Sequence, residues 1–104
     1  MITREQAEKV VYERINAPDR SWPDKPEMVV VRIDEHALGW VVFYTSRAYH
    51  ETGDSRSAIS GNAPYLVSRD DGALFETGTA PPFEARLRAA EMKLRAHLAS
   101  NKRS

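Results

Sequence analysis

The sequence predicts an α+β fold: an N-terminal helix, a four-stranded antiparallel sheet of two hairpins, and a C-terminal helix, with both helices packed on one face of the sheet. Three observations predict it. Near the N-terminus, apolar residues recur at helical spacing behind a capping signal. Two pairs of strand-like runs, within 28–46 and 64–78, are each joined through a glycine-bearing turn. A proline-led segment after residue 81 returns to helical spacing. A chain of 104 residues suits one domain, 1–104, and at that size it buries roughly two-thirds of its unfolded surface around one core.

Thr3 with Gln6 forms a T-x-x-Q capping box, which satisfies orphan amides at a helix start. Ala7, Val10, Val11 and Ile15 then share one face, with Arg14 at its edge. The helix is predicted from about Arg4 to about Asn16, ahead of Pro18. Residues 16–27 form a loop, because Pro18, Pro23 and Pro26 block helix and favour extended backbone. Trp22 sits within it, either lying over the core edge or exposed as an anchor for a partner.

The run MVVVRIDE, residues 28–35, is β-branched and reads as a strand. Val29, Val31 and Ile33 form its cleaner apolar face and are expected inward. EHALG, 35–39, serves as the connection, with Gly39 free to take a positive φ and His36 as a turn residue. GWVVFYTS, 39–46, follows. Trp40, Val42, Tyr44 and Ser46 alternate with Val41, Phe43 and Thr45, and neither face is polar enough for simple one-sided burial. Two readings stay open: aromatics partly shielding the face that the helices leave bare, or a second face that recognises a partner. Both place the strand near the middle of the sheet.

Residues 46–62 read as a long polar loop with Gly53, Asp54, Ser55, Gly61 and Asn62 as turn formers. PYLVSR and ALFETG flank the tight-turn signal DDG at 70–72 and form the second hairpin. Pro81 and Pro82 suit a first helical turn. Phe83, Leu87, Ala90, Leu94 and Leu98 then make the core stripe of the last helix, with Ala85, Ala89, Met92 and Ala96 as helix formers opposite.

Composition narrows the function. The net charge is zero, which argues against a general nucleic-acid binder. Residues 84–104 nonetheless hold six cations against Glu84 and Glu91, leaving −4 on residues 1–83. That basic stretch is a solvated helix end favoured by the macrodipole, or a docking face for an acidic partner. There is no cysteine, hence no disulfide or thiolate metal site. The charged N-terminus lacks the apolar core of a secretory signal, and no apolar run is long enough to span a membrane, so a cytoplasmic protein is expected. His36, His50 and His97 show no metal-ligand spacing, and no cofactor motif is present. Asp70 and Asp71 belong to a turn. A set such as Ser55, His50 and Asp54 arises in any loop this polar and carries little weight without geometry.

Three motifs in order resemble the YrhB family, also described as the immunity protein 35 family. They are GWVVFYTSRAY at 39–49, a glycine, a tryptophan and an aromatic strand ending in Ser-x-x-Tyr; GNAPYLV at 61–67, a turn into a strand; and DGALFETGTA at 71–80, a hairpin leading to the last helix. The resemblance spans residues 3 to about 95. It implies a small cytoplasmic α+β protein without catalytic residues or cofactor, whose partner is a cognate bacterial toxin that it binds and neutralises. One branch of the family is associated instead with chaperone-like protection of other proteins. On this reading the partner is met by Trp40 and Tyr44 on the aromatic sheet face and by Arg47, Tyr49, His50, Glu51, Asp54, Arg56 and Asn62 in the loop. The runner-up is a holdase using the exposed aromatic face. The third is an enzyme using His50 with Asp54 or Glu51.

Overall fold

A computed structural model describes residues 1–53, 63–78 and 82–102, with residues 101 and 102 as backbone alone. Asp54, Arg56, Gly61 and Asn62 lie outside the described residues. The order of elements is α1 (Arg4–Ile15), β1 (Met28–His36), β2 (Gly39–Ser46), α2 (Arg47–Thr52), β3 (Tyr65–Ser68), β4 (Leu74–Glu76) and α3 (Phe83–Lys102). The strands form an antiparallel meander, β1-β2-β3-β4. The α+β class, the terminal helices and the two hairpins are as the sequence predicts.

The helix placement differs. Ala7, Val11 and Ile15 of α1 pack with Met28, Trp40, Val42, Tyr65 and Val67. Ala90 and Leu94 of α3 pack with Val41 and Leu66, flanked by Phe43, Phe75, Leu87 and Leu98. Consecutive strand residues point to opposite faces, so α1 and α3 cover opposite sides of one sheet. The physical reason is visible in β2 and β3. Trp40-Val41-Val42 and Tyr65-Leu66-Val67 are apolar on both faces, and one helix cannot cover both. All four residues of β3 are buried.

A second difference lies in β1. Between Val30 and Arg32 the pairing with β2 slips by one residue. This bulge reverses the alternation. Met28, Val30 and Ile33 face α1, while Val31, expected in the core, is 42% exposed. Arg32 turns to the other face, its guanidinium 5.2 Å from the Phe43 ring centroid.

The turns are specific. The connection from β1 to β2 is two residues, Ala37 and Leu38, and Gly39 follows with φ of 156°. A Cβ there would lie 1.8 Å from the Val67 carbonyl oxygen, so only glycine fits. The capping box closes as expected: the Gln6 N–H donates to Thr3 Oγ1, and the Thr3 N–H to Gln6 Oε1. Asn16 ends α1 and extends the sheet with its side chain. It donates to the Met28 carbonyl at 3.1 Å and accepts the Met28 N–H at 2.8 Å. α3 is fastened to both hairpin turns by histidine–carboxylate contacts, His36 to Glu91 and His97 to Asp71, each 2.7 Å. Leu38 N–H donates to His36 Nδ1, which places the proton for Glu91 on Nε2. No helix among the described residues is long and apolar enough to cross a membrane.

Candidate docking surface

The aromatic ribbon of β2 is part of the core. Trp40 is 8% exposed and sits in the α1 cluster, and the Arg69 guanidinium lies 5.2 Å from its ring centroid. Arg69 is held there by the His36 carbonyl at 3.2 Å. Tyr44 is half-buried against the same cluster, its ring stacked 5.9 Å from Tyr65. Burial first, then the neighbouring Tyr65 and Glu76, push the Tyr44 phenol up to about 12. Tyr65 is also raised, chiefly by burial; its hydroxyl donates to Glu76. The expectation of an open aromatic sheet face, with Trp40 presented to a partner, is therefore corrected. The side of β2 that carries its tryptophan and tyrosine is the side that α1 covers.

The segment after β2 does present side chains, but as a helix rather than a loop. Ser46 caps α2, its hydroxyl accepting the Tyr49 N–H at 3.2 Å. Gly53, in the left-handed region at φ of 68°, ends it and returns its N–H to the Tyr49 carbonyl. Serine before and glycine after a short run is the sequence signal that a loop reading overlooks. Arg47, Tyr49, His50 and Glu51 are all exposed on this turn and a half.

α2 is tied to the loop between α1 and β1. The Arg47 N–H donates to the Glu27 carbonyl at 2.9 Å, and Arg47 Nε pairs with Glu27 Oε2 at 3.0 Å. The Tyr12 hydroxyl donates to the other carboxylate oxygen at 3.4 Å. Glu27 thus joins α1, the proline loop and α2 at the end of the sheet opposite the hairpin turns. Both partners of the ion pair are about half exposed, so it contributes little energy and mainly fixes position.

The loop itself forms a cleft of about 530 Å³ lined by Asn16, Pro18, Trp22, Pro23, Lys25 and Glu27 among others. Its backbone is held by turns. Trp22 N–H donates to the Asp19 carbonyl, Lys25 N–H to the Trp22 carbonyl, and Lys25 Nζ to the Ala17 carbonyl. The Ser21 hydroxyl and N–H both donate to Asp19, and these bonds hold its carboxyl below the usual range. Trp22 is 40% and Tyr49 38% exposed. Tyr12 and Glu27 were not legible as site residues, because a tyrosine on the polar side of α1 and a loop glutamate carry no spacing signal.

Chemically, the surface offers exposed aromatics, Trp22 and Tyr49, among charges of both signs. His50 and Glu51 are consecutive in a helix and project about 100° apart, so they do not converge on one atom. Among the described residues, no group of three or more His, Asp or Glu is placed to hold a metal.

Residues 5–90 match the family described as immunity protein 35. A protein of Escherichia coli (strain K12), named uncharacterized protein YrhB, is 38% identical over 66 residues, which cover 64% of this chain and 70% of that one. No solved structure matches the chain. With the family match running from α1 into α3, the chain belongs to the immunity protein 35 family.

Proposed function

We propose that this is a non-catalytic immunity protein that binds and neutralises a cognate bacterial toxin in the cytoplasm. The docking surface is α2 with the adjoining Trp22 cleft: Arg47, Tyr49, His50 and Glu51 beside Trp22, continuing along the chain to Asp54, Arg56 and Asn62. The observation that carries the reading is the Glu27–Arg47 junction, which ties the exposed residues of α2 to the loop that carries the exposed Trp22, in a chain of this family. Exposed aromatics flanked by charge are typical binding hot spots, each worth about 2 kcal/mol or more when truncated.

The test is growth rescue. The gene is co-expressed with its adjacent upstream gene, the product of which is tested for toxicity, and complex formation is followed by calorimetry. Tyr49→Ala with Trp22→Ala should weaken binding at least about thirtyfold while leaving circular dichroism and melting unchanged. Full rescue by the double variant would remove this surface; failure of the parent protein to rescue would remove the immunity reading. The holdase alternative has its own readout, suppression of heat aggregation of an unrelated client by the isolated protein.

A further inference from the structure

A second surface lies at the opposite edge of the sheet, along α3, and does not depend on the α2 reading. We propose that the groove between α3 and the outer edge of β4 is a receptor for an extended acidic segment of a partner polypeptide. The groove holds about 260 Å³ and is lined by Glu76, Thr77, Gly78, Arg86, Ala89, Ala90 and Lys93. That is below the roughly 300–1,000 Å³ of small-molecule sites, and it is open on one side to solvent, so it takes one or two side chains of a longer chain.

Three observations fit that occupant. First, β4 is a terminal strand of the sheet among the described residues. The Ala73 carbonyl and the Thr77 N–H bond back toward β3. Main-chain groups alternate in an antiparallel ladder, so those of Leu74 and Glu76 point outward, where an added strand can bond to them. Second, the α3 side of the groove is cationic. Arg86 and Lys93 line it, and Lys93 forms no ion pair among the described residues. The Arg86 stem lies over Gly78, where a Cβ would come within 3.4 Å of its Cδ, so the glycine leaves it room. Third, the one carboxylate in the lining is turned elsewhere. Glu76 alternates with Phe75, which packs on the α3 side, and accepts the Tyr65 hydroxyl at 3.2 Å on the α1 side. The floor, Ala89 and buried Ala90, is apolar and small. Carboxylates alternating with modest apolar side chains would satisfy strand edge, rim and floor together. A phosphodiester backbone would use the cations alone and leave the floor and the strand edge unmatched.

The probe is a short synthetic peptide of alternating glutamate and leucine, titrated into the isotope-labelled full chain and followed by amide chemical shifts. Its glutamine counterpart and a heparin oligosaccharide are run in parallel. Shifts confined to residues 74–78 and 86–93, weakened about tenfold by Lys93→Glu and less than about threefold by Arg88→Glu, support the groove. Arg88 lies on the far flank of α3 and is equally charged, so equal losses from both variants would mean diffuse attraction and overturn it. Binding of the glutamine peptide with the same affinity, heparin shifting the same residues as strongly, or no shift at millimolar peptide would each overturn it as well. None of these outcomes bears on toxin rescue by α2.

Discussion

The two faces of the sheet are built differently. The α1 face is broad and aromatic: Trp40, Tyr44 and Tyr65 interlock with Met28, Val42, Val67 and one stripe of α1. The α3 face has a narrower buried core of Val41, Leu66, Ala90 and Leu94, and α3 is fastened at its margins by two histidine–carboxylate contacts to the hairpin turns. The contrast teaches where aromatic side chains are spent in this chain. Trp40 and Tyr44 of β2 help close a core, while Trp22 and Tyr49, both exposed, sit on short connecting segments outside the sheet.

If the α1 face carries more of the stability, truncating its largest member should cost most. Trp40→Ala removes a nearly buried indole and the platform for Arg69, with an expected loss of about 3–5 kcal/mol. Leu94→Ala, fully buried on the other face, should cost less, within the roughly 2–5 kcal/mol of a buried leucine truncation. Urea unfolding of both variants checks the order. An equal or larger loss at Leu94 would make the faces energetically equivalent.

The next effect sharpens how α1 is joined to its face. Asn16→Ala leaves the Met28 N–H and carbonyl without their side-chain partners at a half-buried strand start. Each unmet group costs about 1 kcal/mol, so the variant should lose about 1–2 kcal/mol. Amide hydrogen exchange should quicken first at Met28. Unchanged exchange there would show that water replaces the amide fully.

Much of this was legible in the sequence, and the failures share a cause. Capping boxes, proline loops and the D-D-G turn depend on a few neighbouring residues, and Thr3–Gln6, Pro18–Pro26 and Gly72 read correctly. Gly39 was readable as a positive-φ residue, although the Val67 carbonyl that excludes a Cβ belongs to a strand some thirty residues on. The side of the sheet that each helix takes depends on layers, not on spacing. The apolar doubling of Trp40-Val41-Val42 is the available clue, and the same pattern fits a shielded second face as well as a recognition face. The bulge at Val31 left no local mark, because Val29, Val31 and Ile33 alternate well in sequence and only pairing with Phe43 reveals the slip. In the candidate site, Arg47, Tyr49, His50 and Glu51 are legible by residue type alone. Their connection to Trp22 runs through Glu27, a contact across a gap of twenty residues.

A smaller effect concerns the segment that faces outward. Ser46→Ala removes the cap of α2, an expected loss of about 1 kcal/mol. Because α2 is short and packs lightly, the loss should appear as local opening rather than a lower global midpoint. Proteolysis within 47–53 should rise while the melting temperature changes little. A global shift as large as that of Asn16→Ala would place α2 inside the cooperative core and break the contrast between sheet and connecting segment.

The smallest effect tests the margin of the α3 face. Burial acts to raise the Asp71 carboxyl, but hydrogen bonds from His97, the Ala73 N–H and Ser68 outweigh it and hold the group below its ordinary value of 3.8. A carboxylate lowered in the folded state contributes stability that is complete above its unfolded value and is lost as the pH falls through its folded one. Asp71→Asn should therefore be less stable than the parent at pH 7. Both side chains of the pair are about one-third exposed, which limits the difference to about 1 kcal/mol or less. The gap should close as the pH is lowered past 3.8, measured by urea midpoints across the acid range. A gap that stays constant into acid would assign the contribution of His97 to its edge-on packing against Phe75, 5.7 Å between centroids. The α3 face would then be held by packing at its margin as well as at its centre, and the difference between the two faces would reduce to one of size.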